Sequence, residues 1–277
     1  MEKLQAALEN ARKARDSATT AVRKKPRVAA VAAATSTAGR ALPDEDLWAA
    51  LTPFDVSDKH LNEYRVVTRE AGPSAAPFDI LRTKVLLQMR QNGWKRLAIT
   101  SPMPNSGKTT TSCNLALGLG RQRDLRAILM DLDLRDPSIH SFFETEPPHG
   151  IGDLLTGQVD FSAQALRIGD NVACCMARKS ESDPTRLLLA EETVDVIDHI
   201  EATYKPDIMI FDLPSVLVND DTRAFLKNVD CALIVVRANT TRYNQFDACE
   251  REISEHTNVL GTVLNAYMNT NTISEQE

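Results

Sequence analysis

The sequence predicts an α/β domain in which helices cover both faces of a mostly parallel β-sheet. Short apolar runs such as "KRLAITS", "RAILMDLD" and "DIMIFDLP" have the length and composition of buried strands. Segments with helical periodicity, such as "FDILRTKVLLQM" and "TTTSCNLALGLG", alternate with these runs. Such alternation is typical of βαβ units, which build parallel sheets covered on both faces.

The predicted elements follow one another from Pro77 onward. The helix "FDILRTKVLLQM" comes first, and then the strand "KRLAITS" and the helix "TTTSCNLALGLG", which ends at Gly118 and Gly120. The strands "RAILMDLD" and "NVACCMAR" precede one long helix, "PTRLLLAEETVDVIDHIEATY", which begins at Pro184. The strands "DIMIFDLP", "CALIVVRA" and "VLGTVLNA" complete the sheet, with the helices "TRAFLKNV" and "NQFDACEREISEH" between them.

The first 75 residues are predicted to form a largely flexible N-terminal arm. Residues 1–15 carry apolar side chains at helical spacing, which predicts a short amphipathic helix. Residues 16–75 are rich in Ala, Ser, Thr, Pro and charged residues, so we expect a partly disordered linker. The folded domain is therefore predicted to span residues 76–277.

The composition favours a cytoplasmic protein. The 277 residues contain no apolar run near the roughly 18 residues that a membrane-spanning helix needs, and no signal peptide is apparent. The five cysteines form no CxxC pair, which argues against a zinc site and a disulfide framework. Residues 1–30 carry eight basic and three acidic side chains, a net charge of +5, although the whole chain carries −6. Such an arm suits an anionic membrane, nucleic acid or an acidic partner, or is simply solvated.

The stretch "SPMPNSGKTTTSCNLALG" lies between a predicted strand and a predicted helix, as a phosphate-binding loop does. The stretch contains the Gly-Lys-Thr of a phosphate-binding loop at residues 107–109, but Pro102 stands where the usual pattern has its first glycine. Asn105 tolerates the left-handed backbone conformation that such a loop needs. We expect Lys108 to bridge the β- and γ-phosphates of a nucleotide and Thr109 to bind Mg²⁺. The predicted nucleotide-binding residues of the loop are Pro104, Asn105, Ser106, Gly107, Lys108, Thr109 and Thr110.

Acidic residues follow two further strands at the same edge of the predicted sheet. In "ILMDLDLRDP", Asp131 and Asp133 are two residues apart and therefore face the same way at the end of a strand. Two such carboxylates suit a divalent cation and a hydroxyl nucleophile, although an Asp-rich turn with helix-capping acids has the same appearance. In "DIMIFDLPS", Asp212 ends an apolar strand, as expected of a carboxylate that orders a magnesium-bound water.

Five segments occur together and in order: "SPMPNSGKTTTSCNLA", "ILMDLDLRDPSIHSFF", "GIGDLLTGQVD", "IMIFDLPSVLVNDD", and "ALIVVRANTTR" with "VLGTVLN" after it. Through them, residues 76–268 resemble the bacterial tyrosine kinases of capsule and exopolysaccharide synthesis, the CpsD/CapB family, within the ParA/MinD-like P-loop NTPases. The loop of that family also lacks the first glycine, but it has glycine where this chain has Asn105. The partitioning ATPases carry a signature lysine where this chain has Met103, which argues against a ParA/MinD-type dimer switch.

The resemblance implies an ATP- and Mg²⁺-dependent protein-tyrosine kinase or autokinase. Such a protein would regulate polysaccharide polymerisation and export together with a membrane-embedded chain-length (co-polymerase) partner, at the inner face of the plasma membrane. Protein tyrosines would be its substrates, and no nucleic acid is expected. By position, Asp131 would orient or deprotonate the tyrosine hydroxyl, and Asp133 and Asp212 would hold the magnesium shell. Asn265 would lie near the adenine.

Two features of that family are altered in this chain. Members carry a Glu-x-x-Arg-x-x-Arg helix through which subunits form a ring, whereas this chain has Ala76, Asp79 and Arg82 at these positions. Members also end in a tyrosine cluster, whereas Tyr267 is the only late tyrosine here and is predicted to belong to the last strand. We therefore expect weak autophosphorylation of the tail, with any tyrosine modification at Tyr64 or on a partner. The expected homo-oligomer would use a different ring contact, or the ring would be absent.

A second interpretation is a regulatory ATP-binding module of the same polysaccharide machinery that lacks kinase activity. The intact acidic motifs favour the kinase, whereas the altered ring helix and the missing tyrosine cluster favour the regulatory module. A third interpretation, a partitioning ATPase with its basic arm on DNA, is disfavoured by Met103.

Overall fold

The computed structural model describes residues 44–267, so the predicted helix at residues 1–15 and residues 16–43 of the predicted linker lie outside the described residues. The helices of the described part are α1 (Asp44–Ala49), α2 (Asp58–Glu63), α3 (Ala76–Asn92), α4 (Lys108–Gly120), α5 (Ile139–Phe142), α6 (Ile151–Leu155), α7 (Phe161–Gln164), α8 (Pro184–Leu189), α9 (Glu191–Tyr204), α10 (Asp221–Leu226) and α11 (Tyr243–Ser254). The strands are β1 (Thr52–Phe54), β2 (Arg96–Thr100), β3 (Ala127–Asp131), β4 (Leu166–Ile168), β5 (Val172–Cys175), β6 (Ile208–Asp212), β7 (Cys231–Arg237) and β8 (Asn258–Asn265). Within residues 44–267, no helix has both the length and the apolar character needed to cross a membrane.

The strands form one sheet in the order β1-β4-β5-β3-β6-β2-β7-β8. All neighbouring strands run parallel except β4 and β5, which pair antiparallel. The predicted mostly parallel sheet is therefore confirmed. Asp131 at the end of β3 is in register with Asp212 at the end of β6. The two acidic motifs consequently lie side by side at the carboxyl edge of the sheet, where open α/β sheets bind ligands.

Both faces of the sheet are buried under helices. In β3, Ile128 and Met130 belong to one apolar cluster, whereas Ala127 and Leu129 belong to the other. This alternation follows from the two-residue period of a strand, which sends successive side chains to opposite faces. The long helix α4 is deeply embedded, since ten of its 13 residues are buried. It therefore gives the loop at its N terminus a rigid support.

Residues 44–75 are part of the folded structure, contrary to the predicted linker. Trp48 is buried, and its indole nitrogen Nε1 donates a hydrogen bond to the Tyr204 carbonyl oxygen at 2.8 Å. Further along, Thr68 Oγ1 donates to the Asn114 carbonyl oxygen at 2.6 Å, and Asn114 Nδ2 donates to the Arg65 carbonyl oxygen at 2.9 Å. Apart from the short run Leu47–Leu51, the apolar residues of the segment are scattered among polar and charged ones, so its sequence shows no sustained periodicity although its side chains reach the core.

Two other expectations differ from the structure. The single long helix predicted from Pro184 is divided into α8 and α9, because Ala190 has an extended backbone, with ψ of 143°. The strand β8 ends at Asn265, so Tyr267 lies beyond it and is 64% exposed. The prediction that Tyr267 belongs to the last strand is therefore wrong.

Candidate functional site

The predicted phosphate-binding loop joins the end of β2 to the start of α4. Gly107 precedes α4 with φ of 92°, a left-handed value that glycine adopts without strain. Asn105 also has a left-handed backbone, with φ of 59°, in agreement with the sequence argument. The first N–H groups of a helix have no acceptor within it, and the positive end of the helix dipole lies there too. The loop therefore offers donors to an anion such as phosphate.

Side chains from β7 and β8 hold this loop in place. Asn265 Nδ2 donates to the Ser106 carbonyl oxygen at 2.9 Å, and Arg237 Nη1 donates to the Asn105 carbonyl oxygen at 2.8 Å. A Cβ atom added to Gly107 would lie 2.0 Å from Asn265 Nδ2, so this contact needs glycine. Asn265, which the resemblance placed near an adenine, thus has its amide committed to the loop backbone.

Asp212 is fully buried behind the loop and accepts two hydrogen bonds from α4. Thr109 Oγ1 donates to Asp212 Oδ2 at 2.7 Å, and Ser112 Oγ donates to Asp212 Oδ1 at 2.8 Å. Burial raises the pKa of Asp212, while the charge of Lys108 and the two hydroxyl donors oppose this rise. With both of its oxygens engaged, Asp212 fixes the orientation of the Thr109 hydroxyl.

Asp131 is also fully buried, and its two oxygens have different surroundings. Oδ2 accepts the backbone N–H groups of Ser138 at 3.2 Å and Ile139 at 3.1 Å, so it caps the start of α5. Oδ1 has no hydrogen-bond partner in the structure. Burial, followed by the charge of Asp212, raises the pKa of Asp131 well above its usual range. The capping role that the sequence offered as an alternative is therefore real, but it occupies only one oxygen.

Asp133 and Lys108 face each other at the mouth of the site. The Lys108 ammonium nitrogen lies 3.9 Å from Asp133 Oδ2, and both side chains are at least 85% buried. Burial raises the pKa of Asp133 to about 6 even though the Lys108 charge lowers it. A carboxyl with this pKa changes its protonation near neutral pH, which is a property of many functional groups in clefts.

These groups surround a cavity of about 700 Å³ at the carboxyl edge of the sheet, a size that suits a nucleotide. Eight of the predicted site residues line it: Pro104, Asn105, Gly107, Lys108, Thr109, Thr110, Asp133 and Asn265. Ser106, Asp131 and Asp212 do not line the cavity, and the last two lie behind its wall. The structure thus brings all three motifs together around one space.

The cavity also contains a basic side chain that the sequence argument did not single out. Arg135 lines the cavity and binds the buried Asp221 through two hydrogen bonds, of 2.5 and 3.1 Å. Thr185 from α8 donates to the same carboxylate. Arg135 lies within the quoted "LDLRDP", but its role depends on Asp221, 86 residues later. Only the folded chain reveals this pairing.

The residues present fit a magnesium ion. Asp131 and Asp133 both lie close enough to Asp212 for its charge to add to the rise in pKa that burial causes, Asp212 accepts from Thr109, and Lys108 is the one cation among the predicted site residues. Asp131 Oδ1 is a buried acceptor without a partner, which is an unusual state that calls for an additional donor or cation. Oxygen ligands of this kind are those that Mg²⁺ prefers, usually with several waters retained.

The fold and the loop together define the class of protein: this is a P-loop NTPase fold with its phosphate loop between β2 and α4. The sequence matches no protein-family model. Among solved structures, a cobyrinic acid a,c-diamide synthase from Mycobacterium smegmatis with a bound ATP analogue and magnesium shares this fold. It has a TM-score of 0.54 and 20% identity, and the match covers 63% of this chain and 73% of that one.

More similar proteins are bacterial tyrosine kinases, so the resemblance seen in the sequence is confirmed. The chain is 28% identical over 197 residues to a putative tyrosine-protein kinase EpsB of Ralstonia nicotianae, covering 70% of this chain and 26% of the relative. It is 25% identical over 204 residues to the tyrosine-protein kinase Etk of Escherichia coli, and the match covers 73% of this chain and 28% of Etk. It is 24% identical over 202 residues to a third tyrosine-protein kinase, YwqD of Bacillus subtilis, and the match covers 72% of this chain and 84% of YwqD. The chain thus spans about a quarter of the first two relatives.

Solved kinase domains show the same relationship in three dimensions. The kinase domain of Escherichia coli ETK superposes with a TM-score of 0.65 at 23% identity, covering 72% of this chain and 77% of that one. The VpsO kinase domain superposes with a TM-score of 0.62 at 25% identity, covering 70% of this chain and 95% of that one. The shared region is therefore the kinase domain of these proteins.

Proposed function

We propose that this chain binds Mg-ATP and transfers the γ-phosphoryl group to a tyrosine hydroxyl of a protein. The observation that carries the proposal is that Lys108, Thr109 and Asp133 line one cavity of nucleotide size, while Asp212 behind its wall accepts a hydrogen bond from Thr109. Relatives named as tyrosine kinases, EpsB and Etk among them, support the choice of acceptor. In the transfer, a bond forms between the tyrosine oxygen and the γ-phosphorus, and the bond from that phosphorus to the β–γ bridging oxygen breaks. ADP leaves.

Each predicted residue has a proposed task in this reaction. Lys108 would bind the β- and γ-phosphate oxygens, and the N–H groups of the loop would hold the β-phosphate. Thr109 and Asp133 would hold Mg²⁺, with Asp212 orienting the Thr109 hydroxyl through their 2.7 Å hydrogen bond. When bound, Mg²⁺ neutralises the charge that builds up on the phosphate oxygens.

The acceptor carboxylate is proposed to be Asp131. Its unpartnered Oδ1 and its raised pKa make it more basic than an exposed aspartate, so it suits a tyrosine proton. Because Asp131 lies behind the cavity wall, the hydroxyl reaches it only if the segment 132–138 moves when substrate binds. Asp133, on the wall itself, is the competing candidate.

The regulatory, non-kinase module has one specific observation in its favour. The side chains at the ring-contact positions are engaged within the chain: Asp79 Oδ1 accepts from both Arg82 and Arg121 at 2.8 Å. Trans-phosphorylation between subunits depends on such a contact, so its loss suits a protein that binds ATP but does not modify its neighbours. The two functions predict different products from the same Mg-ATP.

The test is phosphoryl transfer from radiolabelled Mg-ATP, with a Glu-Tyr copolymer as the tyrosine substrate. We expect tyrosine labelling by the unmodified chain, and loss of both labelling and ATP binding in Lys108→Met. Lys227→Met, which removes an exposed lysine at the end of α10, is the matched control and should behave like the unmodified chain. ATP binding or hydrolysis without any tyrosine label would favour the regulatory module. Equal ATP affinity in Lys108→Met would refute the site assignment.

The biological setting follows from the same proposal. The names of relatives, such as EpsB and a kinase in a cps region, suggest a role in exopolysaccharide or capsule polymerisation and export. We propose that the chain acts at the inner face of the plasma membrane with a membrane-embedded chain-length partner. The basic arm within residues 1–30 is the proposed membrane or partner contact, and it lies outside the described residues.

A further inference from the structure

A second cavity, of about 640 Å³, lies at the opposite end of α4 from the phosphate loop. Since α4 has 13 residues, the two ends are roughly 20 Å apart. The walls are the last residues of α4, the end of β1 and the turn between β4 and β5. Four arginines line this space, which we call the arginine cavity: Arg69, Arg121, Arg123 and Arg167.

The arginine cavity is positively charged in a negatively charged protein. Two acidic residues, Asp55 and Asp170, share its walls with the four arginines, so the lining has a formal charge of +2, whereas the chain carries −6. Arg69 is paired directly, since its guanidinium lies 2.7 Å from Asp55 Oδ1 and 3.0 Å from Asp58 Oδ1. Asp170 is 105% exposed and 3.8 Å from Arg167, so water screens its charge and it neutralises Arg167 only weakly.

Two of the four arginines, Arg123 and Arg167, keep hydrogen-bonding capacity that the protein does not use. Arg123 has no hydrogen bond or ion pair with any residue from 44 to 267. Arg167 donates to the Gly169 carbonyl oxygen and lies 3.8 Å from Asp170, but its buried Nε has no acceptor. A guanidinium has five N–H donors in a planar fork, an arrangement that matches phosphate oxygens.

The arginines are not needed to neutralise the C-terminal end of α4. A helix ends in unpaired carbonyl groups and a partial negative charge, which basic side chains often compensate. Here Arg82 performs this task from α3, donating to the Gly118 carbonyl oxygen at 2.9 Å. Arg121 follows the helix directly, but its Nη1 donates to Asp79. The C-terminal end of α4 is therefore neutralised without Arg123 or Arg167.

We propose that the arginine cavity binds a small molecule that carries a diphosphate or two phosphate groups. The volume lies within the range of small-molecule sites, and charge-assisted hydrogen bonds from paired arginines are the usual means of recognising phosphate. This site is separate from the nucleotide cavity and does not depend on the proposed kinase activity. The helix α4 connects the two cavities end to end.

The test uses pyrophosphate as the probe, titrated calorimetrically at constant ionic strength. The protein carries Lys108→Met, so that the phosphate loop does not contribute. We expect one site per chain, and at least tenfold weaker binding when Arg123→Gln and Arg167→Gln are added. Arg90→Gln, an exposed arginine of α3 outside the cavity, is the matched control and should leave the affinity unchanged.

Two further measurements keep the outcome decisive. If the variant with both substitutions is unstable, Arg123→Gln alone serves instead, because Arg123 is exposed and unpaired and its replacement retains the fold. We expect this single variant to weaken pyrophosphate binding at least threefold. O-phospho-L-tyrosine as a second probe distinguishes a phosphorylated protein side chain from a free diphosphate, and we expect it to bind more weakly. Unchanged pyrophosphate affinity in the arginine variants, or tighter binding of phosphotyrosine, would overturn the proposal.

Discussion

The two carboxylate oxygens of Asp131 have different surroundings. Oδ2 accepts the N–H groups of Ser138 and Ile139 and so fixes the start of α5, while Oδ1 has no partner. Leaving a buried oxygen unpartnered costs on the order of 1–3 kcal/mol, so the fold retains it at a cost to stability. A cost of this kind is typical of a site where function requires the free oxygen.

This division leads to a prediction for Asp131→Asn. The asparagine side-chain oxygen still accepts from Ser138 and Ile139, so the fold should be retained, but the proton acceptor is lost. We expect tyrosine phosphorylation to fall by about 10²- to 10⁴-fold, the range of general-base catalysis, while the dissociation constant of ATP changes less than about threefold. Single-turnover kinetics and ATP titration measure the two quantities separately. A parallel fall in both would show that Asp131 serves the metal instead.

Asp133 provides a prediction about pH. Its folded pKa of about 6 lies above the ordinary value of 3.8, so the folded state favours the protonated form. The associated stability is fully present below about pH 4 and is lost as the pH rises through about 6. Without Mg²⁺ at pH 7.5, Asp133→Asn should therefore raise the free energy of unfolding, by up to about 3 kcal/mol from a shift of about two units.

Urea denaturation at pH 4 and pH 7.5 checks this expectation. The difference between Asp133→Asn and the unmodified chain should largely disappear at pH 4, where Asp133 is neutral in the folded state and only partly ionised in the unfolded state. Added Mg²⁺ should stabilise the unmodified chain and not the variant. A variant that is less stable than the unmodified chain at pH 7.5 without Mg²⁺ would mean that the Lys108 ion pair outweighs burial.

At the scale of elements, the phosphate loop was predictable only in part. The left-handed conformation at Asn105 follows from residue type and position, and the structure shows it. The hydrogen bonds from Arg237 and Asn265 to the loop carbonyls join residues 132 and 159 positions apart in the chain. No local pattern encodes such contacts, so the supports of the loop appear only when β7 and β8 take their places beside β2.

The hydrogen bond from Asn265 to the Ser106 carbonyl oxygen leads to a prediction about ligand affinity. We expect Asn265→Ala to weaken the binding of ATP and of inorganic tripolyphosphate by the same factor, about fivefold, because one hydrogen bond to the loop is worth about 1 kcal/mol. Asn258→Ala is the matched control, since Asn258 also lies on β8 and donates to a backbone carbonyl oxygen, that of Asp230. If only ATP binding weakens, Asn265 contacts the adenine, as the family resemblance implies.

The missed elements share a physical cause. The strands β1 and β4 have three residues each, and α1 and α2 have six each, so none is long enough for a periodic pattern. Their stability comes from contacts with distant residues, such as Trp48 of α1 with Tyr204 and His60 Nε2 of α2 with the Ser141 carbonyl oxygen at 2.7 Å. The six strands predicted from apolar runs are all present. Every residue of β3, β5 and β6 is buried, which leaves a continuous apolar signal, whereas β8 at the edge of the sheet is mostly exposed or half-buried.

At the scale of the molecule, the polar side chains at the start of α3 are engaged in contacts within the chain. Asp79 lies between Arg82 and Arg121, with side chains that are at most 26% exposed. Arg82 is bound both to Asp79 and to the Gly118 carbonyl oxygen. These groups have little capacity left for a neighbouring subunit, which supports the expectation of a different ring contact or none.

The exposure of the tyrosines changes the expected site of self-phosphorylation. The sequence argument favoured Tyr64, but its ring packs against Phe142 with the centroids 4.5 Å apart, and it is 36% exposed. Tyr204 is buried, and Tyr243 is 82% exposed but fixed at the start of α11. Tyr267, beyond the end of β8, is 64% exposed and follows Ala266, which lines the nucleotide cavity.

We therefore predict that any tyrosine label after incubation with Mg-ATP lies mainly on Tyr267, with less on Tyr64 and none on Tyr204. Transfer needs the acceptor oxygen within about 3 Å of the phosphorus, which a ring packed like that of Tyr64 reaches only by leaving Phe142. Phosphopeptide mapping locates the label, and Tyr267→Phe should remove most of it. Tyr243→Phe is the control for exposure alone and should change nothing. Dominant label on Tyr64 would contradict this prediction. It would show that the acceptor tyrosine lies at the rim of the nucleotide cavity, which the next residue, Arg65, lines.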